Sequence, residues 1–311
     1  MSKSPKVSIV ILTTNALKMT QEQLTNIAEL EVNNFNPECL VVDNGSSDGT
    51  EDSLSNYKLP NMDYKFIETG ANLGFAGGNN VGIKDALGRS SDYVILMNND
   101  LVLPKDIVGK LVSYMEGNPG VGLASPKMYF AKGYEFHKDR YDENELGKVF
   151  WYAGGLIDRE NCYSSHLGVD EVDTGQYDKT TETDFANGAC VIVRREVFEK
   201  IGYLDASFFL YWEDADFSER ARKNGFKVKY YPGTHLWHKV SSSTGGSGSP
   251  TNDYFLTRNR LYYAKRHLNF RTKFAVWRDT LKLAFKGRLW QRKGAIDAII
   301  GITGMGAWAR R

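Results

Sequence analysis

The sequence predicts an open α/β sheet layered with helices, followed by a basic helical extension. Three observations predict it. Short apolar, β-branched runs recur at Val7–Thr13, Leu40–Asp43, Tyr64–Glu68, Tyr93–Met97 and Val121–Ser125. Helix-like segments separate several of them, the pattern of strands joined by crossover helices. From Arg258 to Arg311 there are 14 Lys and Arg against 2 Asp and Glu, which leaves 25 of the 39 basic and 36 of the 38 acidic residues for 1–257. An acidic or neutral body with a basic appendage fits that imbalance. With 311 residues, 41% of them hydrophobic, the chain can build one large or two small domains around a sizeable core.

Each element has its own reason. Val7–Thr13 (VSIVILT) is apolar without alternation, as in a strand buried on both faces. Gln21–Glu29 reads as a helix. Leu40–Asp43 is a second buried strand, closed by a turn-rich DNGSSDGT in which Asp48 is the better helix cap. Asp43 is thereby left for a ligand. Tyr64–Glu68 is a third strand, and a glycine-rich segment, Gly70–Gly82, follows it. Its GANLGFAGGNN is not GxxxxGK[ST], and no GxGxxG follows the first strand, so P-loop and dinucleotide sites lose their main support. Tyr93–Met97 ends at Asn98-Asn99-Asp100, and Pro104 opens a helix through Glu116. Val121–Ser125 is the fifth strand. Residues 129–184 read as an irregular, aromatic-rich insertion with a hairpin around Trp151–Tyr163. Helices follow at Arg195–Ile201 and Asp214–Asn224, the second closed by Gly225. Lys227–Tyr231 is a strand, and Ser241–Pro250 a flexible loop.

Three widely spaced cysteines, Cys39, Cys162 and Cys190, form a reduced, cytosolic pattern rather than a disulfide framework. The N-terminus runs straight into a strand, so no signal peptide is expected. No apolar run of about 18 residues occurs, so no transmembrane helix is expected either.

Ligands of open α/β sheets sit beyond the carboxyl ends of the strands. Here those ends are Thr13-Thr14-Asn15, Asp43-Asn44-Gly45 and Asn98-Asn99-Asp100. Asn72, Asn79 and Asn80 are candidates for sugar hydroxyls, with helix capping the commoner role. Asp100 is a candidate Mg2+ or Mn2+ ligand, since these ions take oxygen ligands from one or two carboxylates and the substrate's phosphates. A second acidic cluster, Glu213, Asp214 and Asp216, is set among Phe208, Phe209, Tyr211, Trp212 and Phe217. One carboxylate at a helix N-terminus is ordinary; three among aromatics call for partners or a task. Partial burial raises a carboxylate's pKa and makes it a better base. Asp214 and Asp216 cannot face the same way, so they need separate roles. His238 is better placed than His235 to complete a metal or phosphate site. Ser242 and its neighbours are placed to contact a diphosphate, and Arg258 to pair with Asp214 or a phosphate. In the tail, Phe274, Trp277, Leu281, Ala284 and Phe285 recur at helical spacing among Lys and Arg. Such a basic amphipathic helix reads as membrane-surface binding. Packing on the body or on another subunit would use the same stripe. Nucleic acid is not expected, because no recognisable module accompanies the charge.

The ordered motifs VSIVILTTN, VVDNGSSDGT, ANLGFAGGNNVGI, YVILMNND, NGACVIVRREVF, IGYLDASFFLYWEDADFSERARKNGF, HLWHKVSSS and RNRLYY resemble family 2 glycosyltransferases of GT-A fold. They are most similar to the rhamnosyltransferase-like and galactofuranosyltransferase-like branch. The resemblance covers residues 6–266. It implies a GT-A domain over 1–266, with a nucleotide-binding half at about 1–128 and an acceptor-binding half at about 129–266, and a basic tail at 267–311. It implies inverting transfer from a dTDP- or UDP-linked sugar to a glycan or lipid-linked acceptor in cell-surface polysaccharide synthesis, at the cytoplasmic face of the membrane. By the same resemblance Thr13, Asn15, Asp43, Asn72, Gly77, Asn98 and Asn99 line the donor. Asp100 and His238 hold the metal, Asp214 is the base, and Trp212, Glu213, Asn187 and Gly188 face the acceptor. Asn-Asn-Asp replaces the usual DxD, which removes one carboxylate from the metal site and favours dTDP-rhamnose over UDP-sugars. A non-catalytic glycan- or nucleotide-binding module is the rival class.

Overall fold

The computed structural model describes residues 4–240 and 248–310. In chain order the first half contains β1 (Lys6–Thr13), α1 (Leu17–Ala28), β2 (Asn36–Asp43), α2 (Thr50–Leu54), β3 (Asp63–Glu68), α3 (Gly74–Gly88), β4 (Tyr93–Met97), β5 (Leu101–Val102), α4 (Ile107–Gly117) and β6 (Val121–Phe130). The insertion supplies β7 (Phe150–Tyr152), β8 (Gly155–Asp158), β9 (Tyr163–His166) and β10 (Thr181–Glu182). Then come β11 (Cys190–Arg194), α5 (Arg195–Ile201), α6 (Glu213–Lys223), β12 (Lys227–His238), α7 (Pro250–His267), α8 (Phe270–Lys286) and α9 (Leu289–Ile300). The main sheet runs β10-β12-β6-β11-β4-β1-β2-β3. It is mixed: β1 is parallel to β2 and β4, while β11 is antiparallel to both β4 and β6. β8 and β9 form a separate hairpin in the region where the sequence predicted one.

Both faces of the sheet are covered, which is why its strands read as unbroken apolar runs. Val7, Ile9 and Ile11 pack with Leu24 and Ile27 of α1 and with the apolar side of α4. Val10, on the opposite face, packs with Ile83 and Ala86 of α3 and Phe217 of α6. Among the described residues no helix is long and apolar enough to cross a membrane.

Element boundaries depart from the sequence reading where a distant group supplies the cap or the pairing. α1 starts at Leu17 rather than Gln21, because Asp48 of the next loop accepts the Leu17 N–H at 3.0 Å. The helix expected from Pro104 begins at Ile107, and the Pro104 carbonyl accepts the Ile107 N–H. β12 does not stop at Tyr231. It runs on through Pro232-Gly233 to His238, with a register shift between Tyr231 and His235 against β6.

The C-terminal region is two helices rather than one, and both pack with α7. A short 3₁₀ helix, Gly306–Arg310, then places Trp308 in a buried cluster with Phe209, Tyr254 and Phe255. The close approach of α9 to α7 rests on Gly294, where an added Cβ would lie 2.4 Å from the Tyr254 carbonyl oxygen. Gly294→Val is expected to destabilise the protein by about 1–3 kcal/mol through overpacking, read from urea unfolding.

Candidate functional site

The carboxyl ends of β1, β2 and β4 finish nearly level: Thr13 pairs with Asp43, and Ile11 with Met97. Their polar residues are tied into one rim. The Thr20 hydroxyl lies 2.8 Å from that of Thr13 and accepts the Asn99 amide at 3.0 Å. Asn15, in a left-handed conformation, accepts the Ser47 N–H at 2.8 Å and so joins the first loop to the second. Buried Asp43 takes the Ser46 hydroxyl at 2.5 Å. Asn72 caps the start of α3 through the Gly74 N–H at 2.9 Å and also accepts the Asn44 amide. Gly77 lies in the first turns of the same helix, against Leu73. Thr20 escaped the sequence reading because it lies inside α1 and its partners, Thr13 and Asn99, belong to the ends of other elements.

Asp100 and His238 meet where β5 pairs with the end of β12. His238 Nε2 stands 3.1 Å from Asp100 Oδ1, and both side chains are buried. His238 Nδ1 has no hydrogen-bond partner among the described residues. Trp151 of the insertion lies edge-on to His238 on one side and to His166 on the other, at 4.2 and 4.7 Å between ring centres. His166 Nδ1 lies 2.9 Å from the Trp151 carbonyl, and its Nε2 lies 3.0 Å from the Asn187 amide nitrogen. Burial lowers the His166 pKa to about 4, so the ring is neutral and its Nε2 accepts from Asn187. Asn187 in turn accepts the Ala189 N–H at 2.8 Å, and the Ala189 carbonyl takes the Asn98 N–H at 2.8 Å. A connected string thus runs from Asp100 through the insertion to the Asn187-Gly188-Ala189 turn.

That turn also holds Asp214. The Gly188 N–H approaches Asp214 Oδ2 at 3.3 Å, and the Ala215 N–H approaches Oδ1 at 2.8 Å. Asp214 is half-buried, and burial raises its pKa while these backbone donors pull it down. Its neighbour Glu213 is enclosed. Desolvation, then the charge of Asp214, pushes the Glu213 pKa well up, and its Oε2 has no hydrogen-bond partner among the described residues. Asp216 behaves oppositely. Burial pulls its pKa upward, but His267 at 2.7 Å and Arg220 at 2.8 Å more than offset this and lower it. Two adjacent acids thus have their pKa pushed up, and the third is a charged anchor between α6 and α7. Burial raises all three cysteines to about 12, which leaves no thiolate nucleophile near neutrality.

Three expectations need correction or fall outside the described region. Arg258 meets neither Asp214 nor open solvent. It is fully buried, and its guanidinium donates to the carbonyls of Phe208, Ser207 and Gly304. Trp212 offers no open face to an acceptor, because its indole is buried against Tyr263. Ser242 lies outside the described residues. What Arg258 does instead is explained by the backbone. Phe209, Tyr211 and Trp212 all have positive φ, at 65°, 67° and 73°. Such residues cost of order 1–3 kcal/mol each and persist only where their surroundings over-determine them. The amide of Asn259 donates to the carbonyls of Phe208, Leu210 and Tyr211, at 2.7–2.9 Å. Arg258 and Asn259 thus clamp the strained loop that delivers Asp214.

An open mixed sheet with helices on both faces and a polar rim at its strand ends is the architecture of GT-A sugar transferases. Residues 8–202 match the glycosyl transferase family 2 model, and the chain belongs to that family. It is 29% identical over 194 residues to the low-salt glycan biosynthesis hexosyltransferase Agl10 of Haloferax volcanii, a match covering 61% of this chain but 55% of that protein. It is 24% identical over 259 residues to the N-acetylglucosaminyl-diphospho-decaprenol L-rhamnosyltransferase of Mycobacterium tuberculosis, covering 80% of each. In fold it is similar to the mannosyltransferase PcManGT from Pyrobaculum calidifontis, solved in complex with GDP-Man and Mn2+. The TM-score is 0.58 and the identity 17%, over 100% of this chain and 77% of that one.

Asn259→Ala leaves the Leu210 and Tyr211 carbonyls without their side-chain donor, while Phe208 keeps Arg258. It is expected to cost about 1–3 kcal/mol in urea unfolding. Asn259→Asp, which keeps the shape and removes the donors, is expected to lose at least as much.

Proposed function

We propose that this chain transfers a sugar, with inversion, from a nucleotide-diphosphate donor to the hydroxyl of a glycan or lipid-linked acceptor. Asp214 is the general base. The observation that carries this reading is the half-buried Asp214 carboxylate, oriented by the same turn whose Ala189 carbonyl holds the backbone beside Asp100. Acceptor activation and diphosphate departure are thereby coupled in one rigid frame.

In an inverting displacement the acceptor hydroxyl attacks the anomeric carbon while the bond to the diphosphate breaks. Asp214 accepts the hydroxyl proton, and its raised pKa makes it a stronger base than an exposed aspartate. Its two backbone donors aim the carboxylate. The raised pKa of Glu213, caused by its burial and then by the charge of Asp214, disfavours a second negative charge beside Asp214. Thr13, Asn15, Asp43, Asn72, Gly77, Asn98 and Asn99 form the rim on which the nucleoside and ribose are read. Asp100 and His238 are the residues that would hold a divalent ion. A buried imidazole facing a buried carboxylate suits such an ion, although among the described residues no three His, Cys, Asp or Glu side chains converge. Two protein ligands suffice where a diphosphate supplies the rest. A bound Mg2+ or Mn2+ neutralises charge on the departing diphosphate.

The donor best supported is dTDP-rhamnose. An L-rhamnosyltransferase is among the relatives matched over 80% of both chains, and Asn98 in place of a carboxylate weakens the ion site. Its lipid-linked acceptor supports work on cell-surface polysaccharide at the cytoplasmic membrane face. A UDP-hexose is the rival donor, favoured by the fold shared with TarS from S. aureus, solved with UDP-GlcNAc.

Thermal unfolding with dTDP, UDP and GDP, each with and without Mn2+, tests the donor, because a ligand of the native state alone raises Tm. A Mn2+-dependent shift with dTDP is expected. No shift with any nucleotide, in folded protein, would sink the transferase reading in favour of a glycan-binding module. Asp214→Asn is expected to lower transfer by about a thousandfold while keeping the nucleotide-induced shift. The pH profile follows from the sign of the Asp214 shift. The deprotonated form is active and its pKa lies above 3.8, so kcat/KM is expected to fall on acidification with a midpoint above that value.

A further inference from the structure

Helices α8 and α9 are packed inside out. The residues α8 buries are Thr272, Val276 and Thr280, and α9 buries Gly294, Ala295, Asp297 and Ala298. Most of the large apolar side chains point away, Trp290 of α9, which packs against Trp308, being the exception. On α8, Phe270 is 84% exposed, Phe285 78%, Phe274 57% and Trp277 41%. Their spacing, at positions 0, 4, 7 and 15, puts all four on one side of the helix, with half-buried Leu281 between them. On α9, Leu289, Ile296 and Ile300 are exposed at 0, 7 and 11, again one stripe. Nothing among the described residues covers either stripe.

A helix that only packed against its own domain would turn Phe and Trp inward and Thr outward. The opposite arrangement calls for an apolar medium outside. The charge identifies it. Between residues 270 and 293 there are eight Lys and Arg and one acid, Asp279. Arg278 and Lys273 flank the aromatic stripe of α8, and Arg292 and Lys293 flank that of α9. Two copies of the chain meeting through this face would bring like charges together, so a homodimer is disfavoured. An apolar stripe rimmed by cations matches the boundary of an anionic bilayer, where aromatics enter the acyl edge and Lys and Arg meet the headgroups. We propose that the α8–α9 face is a docking surface for an anionic membrane. Because α7 bears both this pair of helices and the Arg258-Asn259 clamp, docking would hold the Asp214 loop next to the lipid surface.

The test is flotation of the full chain with vesicles of phosphatidylcholine alone, and with vesicles in which about a third of the lipid is phosphatidylglycerol. Binding to the anionic vesicles is expected to be at least about tenfold stronger and to weaken with added salt. Phe274→Ser/Trp277→Ser/Phe285→Ser, all at exposed positions, is expected to abolish it without lowering Tm. Equal binding to both vesicles, no binding, or unchanged binding by the triple variant would overturn the proposal. So would a wild-type dimer that the triple variant converts to monomer without any vesicle binding. Neither donor nor acceptor is present, so failure here and failure of the transfer reading are separate outcomes.

Discussion

The amide of Asn259 holds a stretch of backbone that has no reason to exist on its own. Three non-glycine residues with positive φ, separated only by Leu210, are unfavourable locally, and nothing in FFLYW relieves them. The carbonyls of Phe208, Leu210 and Tyr211 turn inward, where a buried acceptor without a partner is costly. Asn259 and Arg258 supply the donors from α7, and Arg258 also reaches the Gly304 carbonyl. The opposite side of the loop rests on α3, where the Phe209 carbonyl accepts the Ala76 N–H and Gly74 leaves room for the Phe209 ring. Sheet, C-terminal helices and acidic cluster are thus joined at one small loop, and the position of Asp214 depends on all three.

The acidic cluster shows how environment divides like residues. Asp216 faces His267 and Arg220 and stays charged as an anchor, while burial pushes the pKa of Glu213 well up. Asp214 lies between these extremes, half-open and held by backbone donors, which is the condition a base requires. The insertion plays a comparable part at the other end of the site. Trp151 separates two histidines, one beside Asp100 and the other bonded to Asn187. A segment that reads as irregular carries the connection between the two halves of the cleft.

Much of the sheet was legible because doubly buried strands leave unbroken apolar runs, and strand ends leave polar clusters. The polar strand ends at Thr13, Asp43 and Asn98-Asn99-Asp100 were legible for the same reason: each closes or follows an apolar run. The boundaries of α1 and β12 were not, since Asp48 and the partner strand β6 act from elsewhere in the chain. Arg258 was misread because a cation in a basic segment resembles a phosphate ligand until its neighbours are known. Trp212 was misread because an aromatic beside an acid looks the same in sequence whether it faces a cleft or the core.

The sequence by itself determined the fold class, the family and the identity of the acidic and polar residues, because hydrophobic periodicity and ordered motifs are local properties. Only the tertiary structure decided which carboxylate is anchored and which is poised. It alone decided that Arg258 is a buried clamp, that Trp151 and His166 join the site, and that α8 turns its aromatics outward. Those outcomes depend on desolvation and on partners far apart in the chain, and neither is encoded at any single position.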